Sequence, residues 1–408
     1  MSSRSATVER PRHLRLVRTE DRVHARAGEV AAVRRTTSLL LGSTAFLVLG
    51  GLVMVLSASS ISAYAQYGDS FRFFQRQAAY AGVGVGTLLL TSRMRYRVWQ
   101  RLALPFLAVT LALLVSVLHP GAGVSAYGSS RWLEFGPVMI QPSEIAKLAL
   151  VVFAASVLAR KWGKLDHVGH LALPLLPVVL LVAGLVMAQP DLGTTLIIAG
   201  TLFLLLFAAG VRFRYLFATG IVGSALGMAL IFSADYRRVR FLAFLHPWAD
   251  ATNTGYQLVQ SLIALGSGGW FGVGLGASRQ KWMYVPNAHT DFIFSILGEE
   301  LGLIGELAVL VAFGVLIFAG IRVAARAPDV FGRLLAAGIV GWFGLQTLVN
   351  LGAVTGLLPI TGVPLPFLSY GGSSLVVSLA AVGILVNIAR TPASATPADR
   401  SRATRGAT

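Results

Sequence analysis

The 408-residue chain is 55% hydrophobic and only 12% charged, with a mean hydropathy of +0.71 and a net charge of +17. A soluble domain carries roughly twice that charged fraction, so water is excluded as the solvent for most of this surface and lipid is implied. The absence of cysteine removes disulfides and thiolate metal sites, and the basic excess lies between apolar runs, where it reads as membrane topology and not as a nucleic-acid surface.

Residues 1–36 are polar and hold nine arginines (Arg4, Arg10, Arg12, Arg15, Arg18, Arg22, Arg26, Arg34 and Arg35). They read as a disordered cytoplasmic tail lying against anionic lipid. Ten candidate spans follow, near 37–57, 77–92, 102–118, 142–159, 171–188, 192–209, 214–233, 292–320, 333–353 and 371–389. The first resembles a signal sequence in its Arg-rich approach but is long enough to cross a bilayer. Arg93, Arg95, Arg97 and Arg101 follow span two, Arg160, Lys161 and Lys164 span four, Arg212 and Arg214 span six, and Arg322, Arg326 and Arg333 span eight. With Arg390 and the tail at 391–408, read as disordered, most basic residues fall on one side of an even number of spans, so both termini are expected in the cytoplasm. The expected fold is all-α: a polytopic membrane domain of about ten helices over 37–390, with one large extracytoplasmic loop at about 234–290. A loop of that length is expected to be functional or partly re-entrant.

Six stretches carry candidate chemistry, each with a bland reading beside it. In Tyr284-Val-Pro-Asn-Ala-His-Thr-Asp291 a helix is expected to start at Thr290 or Asp291, with Thr290 as N-cap and Asp291 in the first turn. Asp291 is then either capping chemistry or, beside His289, a base for a substrate hydroxyl. Along the same helix Glu299, Glu300 and Glu306 follow, and the spacing puts Asp291, Glu299 and Glu306 on one face, as interhelical hydrogen-bonding groups or as a functional row. Arg131-Trp-Leu-Glu134 leads to Ser143 and Glu144 at a helix start after Pro142; Glu144 and Lys147, three apart, are a neutralised pair or a phosphate-binding group. Asp191, after Gln189-Pro190, reads as an N-cap. Arg237, Arg238 and Arg240 break the positive-inside pattern, either to snorkel or to meet an anion such as a diphosphate head group. Gln257 and Ser261 lie on a short amphipathic helix running into the Gly-rich stretch Gly266–Gly276. Finally, Thr355–Ser374 holds Pro359, Pro364 and Pro366 with Ser369, Gly371, Gly372 and Ser373. Such irregular backbone at membrane depth must be buried in protein or line a cavity, and it marks binding sites in membrane transporters.

Five of these motifs, Arg131-Trp-Leu-x-Phe-Gly, Gln141-Pro-Ser-Glu-x-x-Lys, Gln189-Pro-Asp-Leu-Gly-Thr, Ala288-His-Thr-Asp-Phe-Ile-Phe and Pro366-Phe-Leu-Ser-Tyr-Gly-Gly-Ser-Ser, resemble in content and order the SEDS family (shape, elongation, division and sporulation proteins). The resemblance covers Ser38 to Arg390. Ser278-Arg-Gln-Lys-Trp and Ile296-Leu-Gly-Glu-Glu-Leu-Gly are most like the division branch, FtsW; Thr361-Gly-Val-Pro-Leu-Pro-Phe leans toward the RodA and sporulation branches. Asn287 stands where the family usually has Glu. The resemblance implies a peptidoglycan glycosyltransferase that polymerises lipid II at the outer face of the cytoplasmic membrane, at the division septum, with undecaprenyl-diphosphate-linked glycan as the second substrate. Its implied partners are a class B penicillin-binding protein and other divisome membrane proteins. It implies Asp291 as the catalytic base. It also implies substrate contacts from Arg131, Glu144, Lys147 and the Ser369–Ser374 loop, to which the residue reading adds Arg237, Arg238, Arg240, Gln257, Ser261, His289 and Thr290. A divalent cation such as Mg2+ would suit the diphosphate, though no dedicated ligand set is visible. The elongation (RodA-type) polymerase, a lipid II flippase and a purely recruiting scaffold are the competing readings, and division against elongation stays open.

Overall fold

The computed structural model describes residues 12–119, 123–126, 129–136, 138–164, 168–282 and 284–391. The chain runs α1 (Arg12–Tyr67), α2 (Arg72–Arg93), α3 (Arg97–Leu118), β1 (Gly123–Ala126), β2 (Ser129–Phe135), β3 (Val138–Ile140), α4 (Pro142–Arg160), α5 (Val168–Ala188), α6 (Leu192–Ala208), α7 (Phe213–Phe232), α8 (Asp235–Leu245), α9 (Tyr256–Gly268), α10 (Ile293–Ala325), α11 (Val330–Val354) and α12 (Gly372–Arg390). Seven of these helices contain a stretch long and apolar enough to cross a membrane, and α5 and α6 contribute shorter apolar helices. With the 22-residue α2 they coincide with the ten expected segments. The chain is a multi-pass, almost wholly helical membrane protein. Its one small sheet is antiparallel, in the order β1-β2-β3, with Leu133 opposite both Gly123 and Ile140. No strand was expected there.

Helix α1 departs from expectation at its start. It is helical from Arg12, inside the stretch read as a disordered tail, so the basic segment is continuous with the first span. Residues 1–11 and 392–408, also read as disordered, lie outside the described residues.

The bundle is organised around α4, whose apolar window is 83% buried. Ala146, Ala149, Ala154 and Ala155 are at most 1% exposed, and small side chains let neighbouring backbones approach, which is how helices associate in lipid. The same device joins α2 to α12: Gly84 faces Leu379, Gly383 faces Thr91, and the Thr91 hydroxyl donates to Ala380 O at 2.9 Å. Helix α7 is the opposite case, with 6% of its window buried. It shows apolar side chains to lipid on nearly every side.

The long loop is partly re-entrant. Helix α9 starts beside Pro286 and Ile360. It then runs down α10, with the Ser261 and Ser295 hydroxyls 2.7 Å apart and Gly268 against the Gly298 backbone. Its 13 residues reach about 20 Å, short of the roughly 30 Å of a hydrocarbon core, and the chain then returns to the end where it began. At the turning point α10 is itself broken. Gly302 takes φ +65 and ψ −168, a conformation open essentially to glycine alone. The carbonyls and amides freed by the break bond to the returning strand: Val273 N–H to Glu299 O (2.9 Å), Gly274 N–H to Glu300 O (3.1 Å), Leu303 N–H to Gly269 O (2.9 Å) and Ile304 N–H to Trp270 O (3.3 Å). In lipid such groups must be satisfied internally. A Cβ on Gly302 would also run into the Phe271 and Gly272 backbone. Gly302→Ala is therefore expected to cost more than about 3 kcal/mol, read as a lowered unfolding midpoint in detergent; an unchanged midpoint would contradict the packing described.

The break also corrects the reading of one acidic face. Asp291 precedes α10, and Gly302 separates Glu299 from Glu306, so the three do not share a continuous helical face.

Candidate active site

Five segments converge at one end of the bundle: the β2 strand, the α5–α6 turn, α8, the turn before α10 and the irregular segment before α12. At their centre stands Asp291. Helix α10 begins at Ile293 with Phe292 at its N-cap and no side-chain cap, so Thr290 is not the cap and Asp291 is not in the first turn. Instead the Thr290 hydroxyl donates to Asn287 O at 3.0 Å, closing a turn in which Asn287 holds φ +57. Asn tolerates that region better than most side chains do. The Asn350 amide of α11 fixes the Asp291 backbone, donating to Asp291 O (2.9 Å) and to Val363 O (2.8 Å). Gly362, at φ +71, passes alongside; a Cβ there would lie 3.5 Å from Asp291 Oδ2.

Protein crowds Asp291 although part of its surface stays open. Burial pushes its carboxyl up to about 6, and Asp191 adds to the rise; the Thr290 hydrogen bond and the charges of Arg131 and Arg240 pull the other way. Burial lowers His289 to about 4, so its ring is neutral at physiological pH. It stacks on Phe73 (4.8 Å between centroids) beside Tyr370, and its carbonyl accepts the Tyr370 N–H at 2.9 Å. His289 thus anchors the turn to the α12 approach.

Arg131 donates to Gln189 O (3.1 Å) and Pro190 O (2.6 Å), tying the sheet to the α5–α6 turn. There Asp191 is the N-cap of α6, accepting from Thr194 N–H at 3.0 Å, as expected. Exposed Arg240 lines a cleft of about 410 Å³ with Tyr236, Asn253, Tyr256, Gln257 and Pro286. Aromatic faces, amides and one guanidinium suit a sugar bearing an anionic group. Arg238 is exposed, while Arg237 turns back to Leu230 O at 2.6 Å.

Other expected site residues are held inside the protein. Ser261 is 0% exposed and donates to Val354 O at 2.7 Å. Lys147 pairs with Glu144 (2.7 Å), also donates to Gln346 Oε1 (2.8 Å), and stands 5.2 Å from the Trp342 ring centre. Gln346 passes this contact to the irregular segment through Pro364 O at 2.8 Å. That segment is pinned as buried non-helical backbone must be: Leu365 N–H donates to Ser369 Oγ (2.8 Å), the Gln77 amide bonds Ser369 O and Gly371 N–H, and Ser373 Oγ donates to Met139 O. Gly372 is pressed on the Tyr80 ring. Among the described residues, no three Asp, Glu or His side chains group as a metal-ligand set.

Residues 37–393 match the FtsW/RodA/SpoVE family, described as cell cycle proteins. The chain belongs to that family. It is 45% identical over 87% of its length to the probable peptidoglycan glycosyltransferase FtsW of Geobacter metallireducens, covering 95% of that protein. It is 43% identical over 86% of its length to stage V sporulation protein E of Bacillus subtilis, covering 96%. Among solved structures, a chain of a peptidoglycan synthase complex that couples polymerization and crosslinking superposes with a TM-score of 0.69, at 32% identity, over 85% of this chain and 96% of that one. The rod-shape-determining protein RodA of Thermus thermophilus superposes with a TM-score of 0.64, at 31% identity, over 86% and 95%. FtsW/RodA/SpoVE membership thus accounts for all five motifs at once. Four of the five motifs, those holding Arg131, Asp191, Asp291 and Tyr370, meet around the Asp291 turn, while the fifth, with Glu144 and Lys147, lies inside the bundle.

Sequence reasoning passed over Gln346 and Asn350. The signal was present, since two amides four residues apart in an apolar span lie on one helical face and demand partners.

Proposed function

We propose that the chain is a peptidoglycan glycosyltransferase that polymerises lipid II at the outer face of the cytoplasmic membrane. The observation that carries this reading is Asp291: a carboxylate raised to about 6, at an open end of the bundle, flanked by Arg131 and Arg240. The Lys- and Arg-rich loops at the opposite end support a cytoplasmic position for that end. In the reaction, Asp291 takes the proton from the 4-hydroxyl of the acceptor GlcNAc. That oxygen attacks C1 of the donor MurNAc from the opposite face, the new glycosidic bond forms as the C1–phosphate bond breaks, and undecaprenyl diphosphate leaves with the electron pair. Arg131 and Arg240 meet the growing diphosphate charge. Gln257 and the cleft aromatics hold a sugar, and His289 and Thr290 keep the base in place. Asp291 then returns its proton to water.

The base form populates only above its pKa. Polymerisation is therefore expected to fall about tenfold per pH unit below about 6, and a rate–pH profile of the purified protein checks this. A flat profile down to pH 5 would exclude Asp291 as a base of the stated pKa. A class B penicillin-binding protein is the proposed partner, the synthase-complex superposition being its support. Septal against side-wall localisation of a fluorescent fusion separates division from elongation. The flippase reading drew on Glu299, Glu306 and Lys147. Glu299 and Lys147 have internal partners here. Purified protein that moves lipid II across vesicles without making glycan would restore that reading.

A further inference from the structure

The strand that returns from the end of α9 to the Asp291 turn is tethered by side chains that touch neither Asp291 nor the cleft. Both Glu300 carboxylate oxygens accept the Ser57 hydroxyl of α1 at 2.7 Å. Glu300 Oε1 also accepts the Ser278 N–H and the Lys281 ammonium, each at 3.3 Å. Lys281 Nζ bonds Gly276 O at 2.6 Å as well. Glu299 accepts the Arg279 N–H at 2.9 Å, the Gln280 N–H at 3.3 Å and the Ser278 hydroxyl. Ser278, Lys281, Glu299 and Glu300 are at most 6% exposed. Two carboxylates and an ammonium are costly to bury, and apolar side chains would pack the same space at lower cost. What these polar partners supply instead is direction: three consecutive amides, those of Ser278, Arg279 and Gln280, are aimed at two fixed carboxyl groups. From this point Val285 N–H bonds Gln280 O and Thr290 N–H bonds Asn287 O, so short-range turns carry the position of Lys281 to Asp291.

We propose that Lys281, Glu299 and Glu300, with Ser57, are positioning residues that clamp the return strand and so set the place of Asp291 in the active site. The proposal rests on Asp291 being the base. Charge effects and position effects can be told apart. The charges that shift Asp291 most are Arg131 on β2, Arg240 on α8 and Asp191 at the start of α6, with the Thr290 hydroxyl on its own turn; neutral His289 adds none. Loss of the clamp charges therefore acts on Asp291 by moving it toward solvent.

The test uses the full chain in nanodiscs with Lys281→Met, Glu300→Gln, Lys281→Arg and the mild Ser57→Ala. Hydrogen exchange is read over 276–291 and lipid II polymerisation over pH. For Lys281→Met and Glu300→Gln, exchange of the 284–291 amides is expected to rise about tenfold or more. kcat should fall roughly 10- to 100-fold with KM little changed, and the acid limb should move down toward the ordinary carboxylate range. Lys281→Arg should recover most of the rate, and Ser57→Ala, which keeps every charge, should shift exchange and limb in the same direction by less. Folded variants with faster exchange confined to 276–283 and an unmoved limb would overturn the proposal. If the charge variants fail to fold, Ser57→Ala decides it, and no change at 284–291 counts against the clamp. A wild type without an acid limb near 6 would instead refute the base reading, while exchange at 284–291 would still report on the clamp.

Discussion

Asp291→Asn is expected to lower lipid II polymerisation by roughly 10²- to 10⁴-fold, the usual worth of a positioned general base, with membrane insertion and partner binding intact. The side chain is nearly isosteric and its amide oxygen can still accept the Thr290 hydrogen bond; the contact to Asn350 runs through the backbone carbonyl of Asp291 and is untouched. The same variant should be more stable. The folded carboxyl lies at about 6, above the roughly 3.9 of an unfolded chain, so the native state holds the proton more tightly. Stability is thus fully favoured below the unfolded value and declines as pH rises through the folded one. At pH 7.5 Asn should raise the unfolding midpoint by an amount equivalent to on the order of 1–2 kcal/mol, a figure reduced for the open part of Asp291's surface. The gap should narrow below about pH 6 and close near pH 4. Glycan strands made at wild-type rate by Asp291→Asn would remove the base from the mechanism.

Lys147→Met is expected to destabilise the fold by about 3–5 kcal/mol, because it strands a carboxylate in the bundle. Lys147 and Glu144 are each 2% exposed at the side chain, and Glu144 Oε2 already lacks a hydrogen-bond partner. Removing both charges in Glu144→Leu/Lys147→Met should recover most of the loss, since a well-packed apolar pair often matches or exceeds a buried ion pair. Unfolding midpoints of the two variants in detergent decide the matter; equal losses would mean the ion pair itself is not the issue. Polymerisation by the double variant asks a further question. The pair reaches the irregular segment through Gln346 and Pro364 O, so recovered stability without recovered activity would mean that Lys147 sets the segment facing Asp291.

How far the sequence led can be judged from these residues. Spans were legible because lipid imposes one requirement, about twenty apolar residues each, and α2 to α7 and α10 to α12 fall where the runs lie. The Glu144–Lys147 pair and the Asp191 cap were legible because both act within one turn of their own helix. Helix α10 was misread at its start and at its interior break. Its true start at Ile293 depends on a turn closed by Asn287, and its break at Gly302 depends on a strand thirty residues earlier; neither is written in local periodicity. The basic tail was misread because composition reports solvation, and a helix continuous with a span needs no apolar face of its own. The clamp escaped notice for a similar reason. Ser57 lies more than 220 residues from Lys281 and Glu300 in the chain, and only the fold brings the three within hydrogen-bonding reach.

The interlocked backbones of α9 and α10 bear on how the protein is made. Neither the strand after Gly268 nor the break at Gly302 can satisfy its own amides and carbonyls, and bare backbone is not tolerated in hydrocarbon. Helix α9, too short to cross, has no stable place in the bilayer until α10 has been synthesised beside it. The two must enter as one hairpin-like unit, late in translation, so the Asp291 turn between them takes its final form only after the seven preceding spans have been laid down.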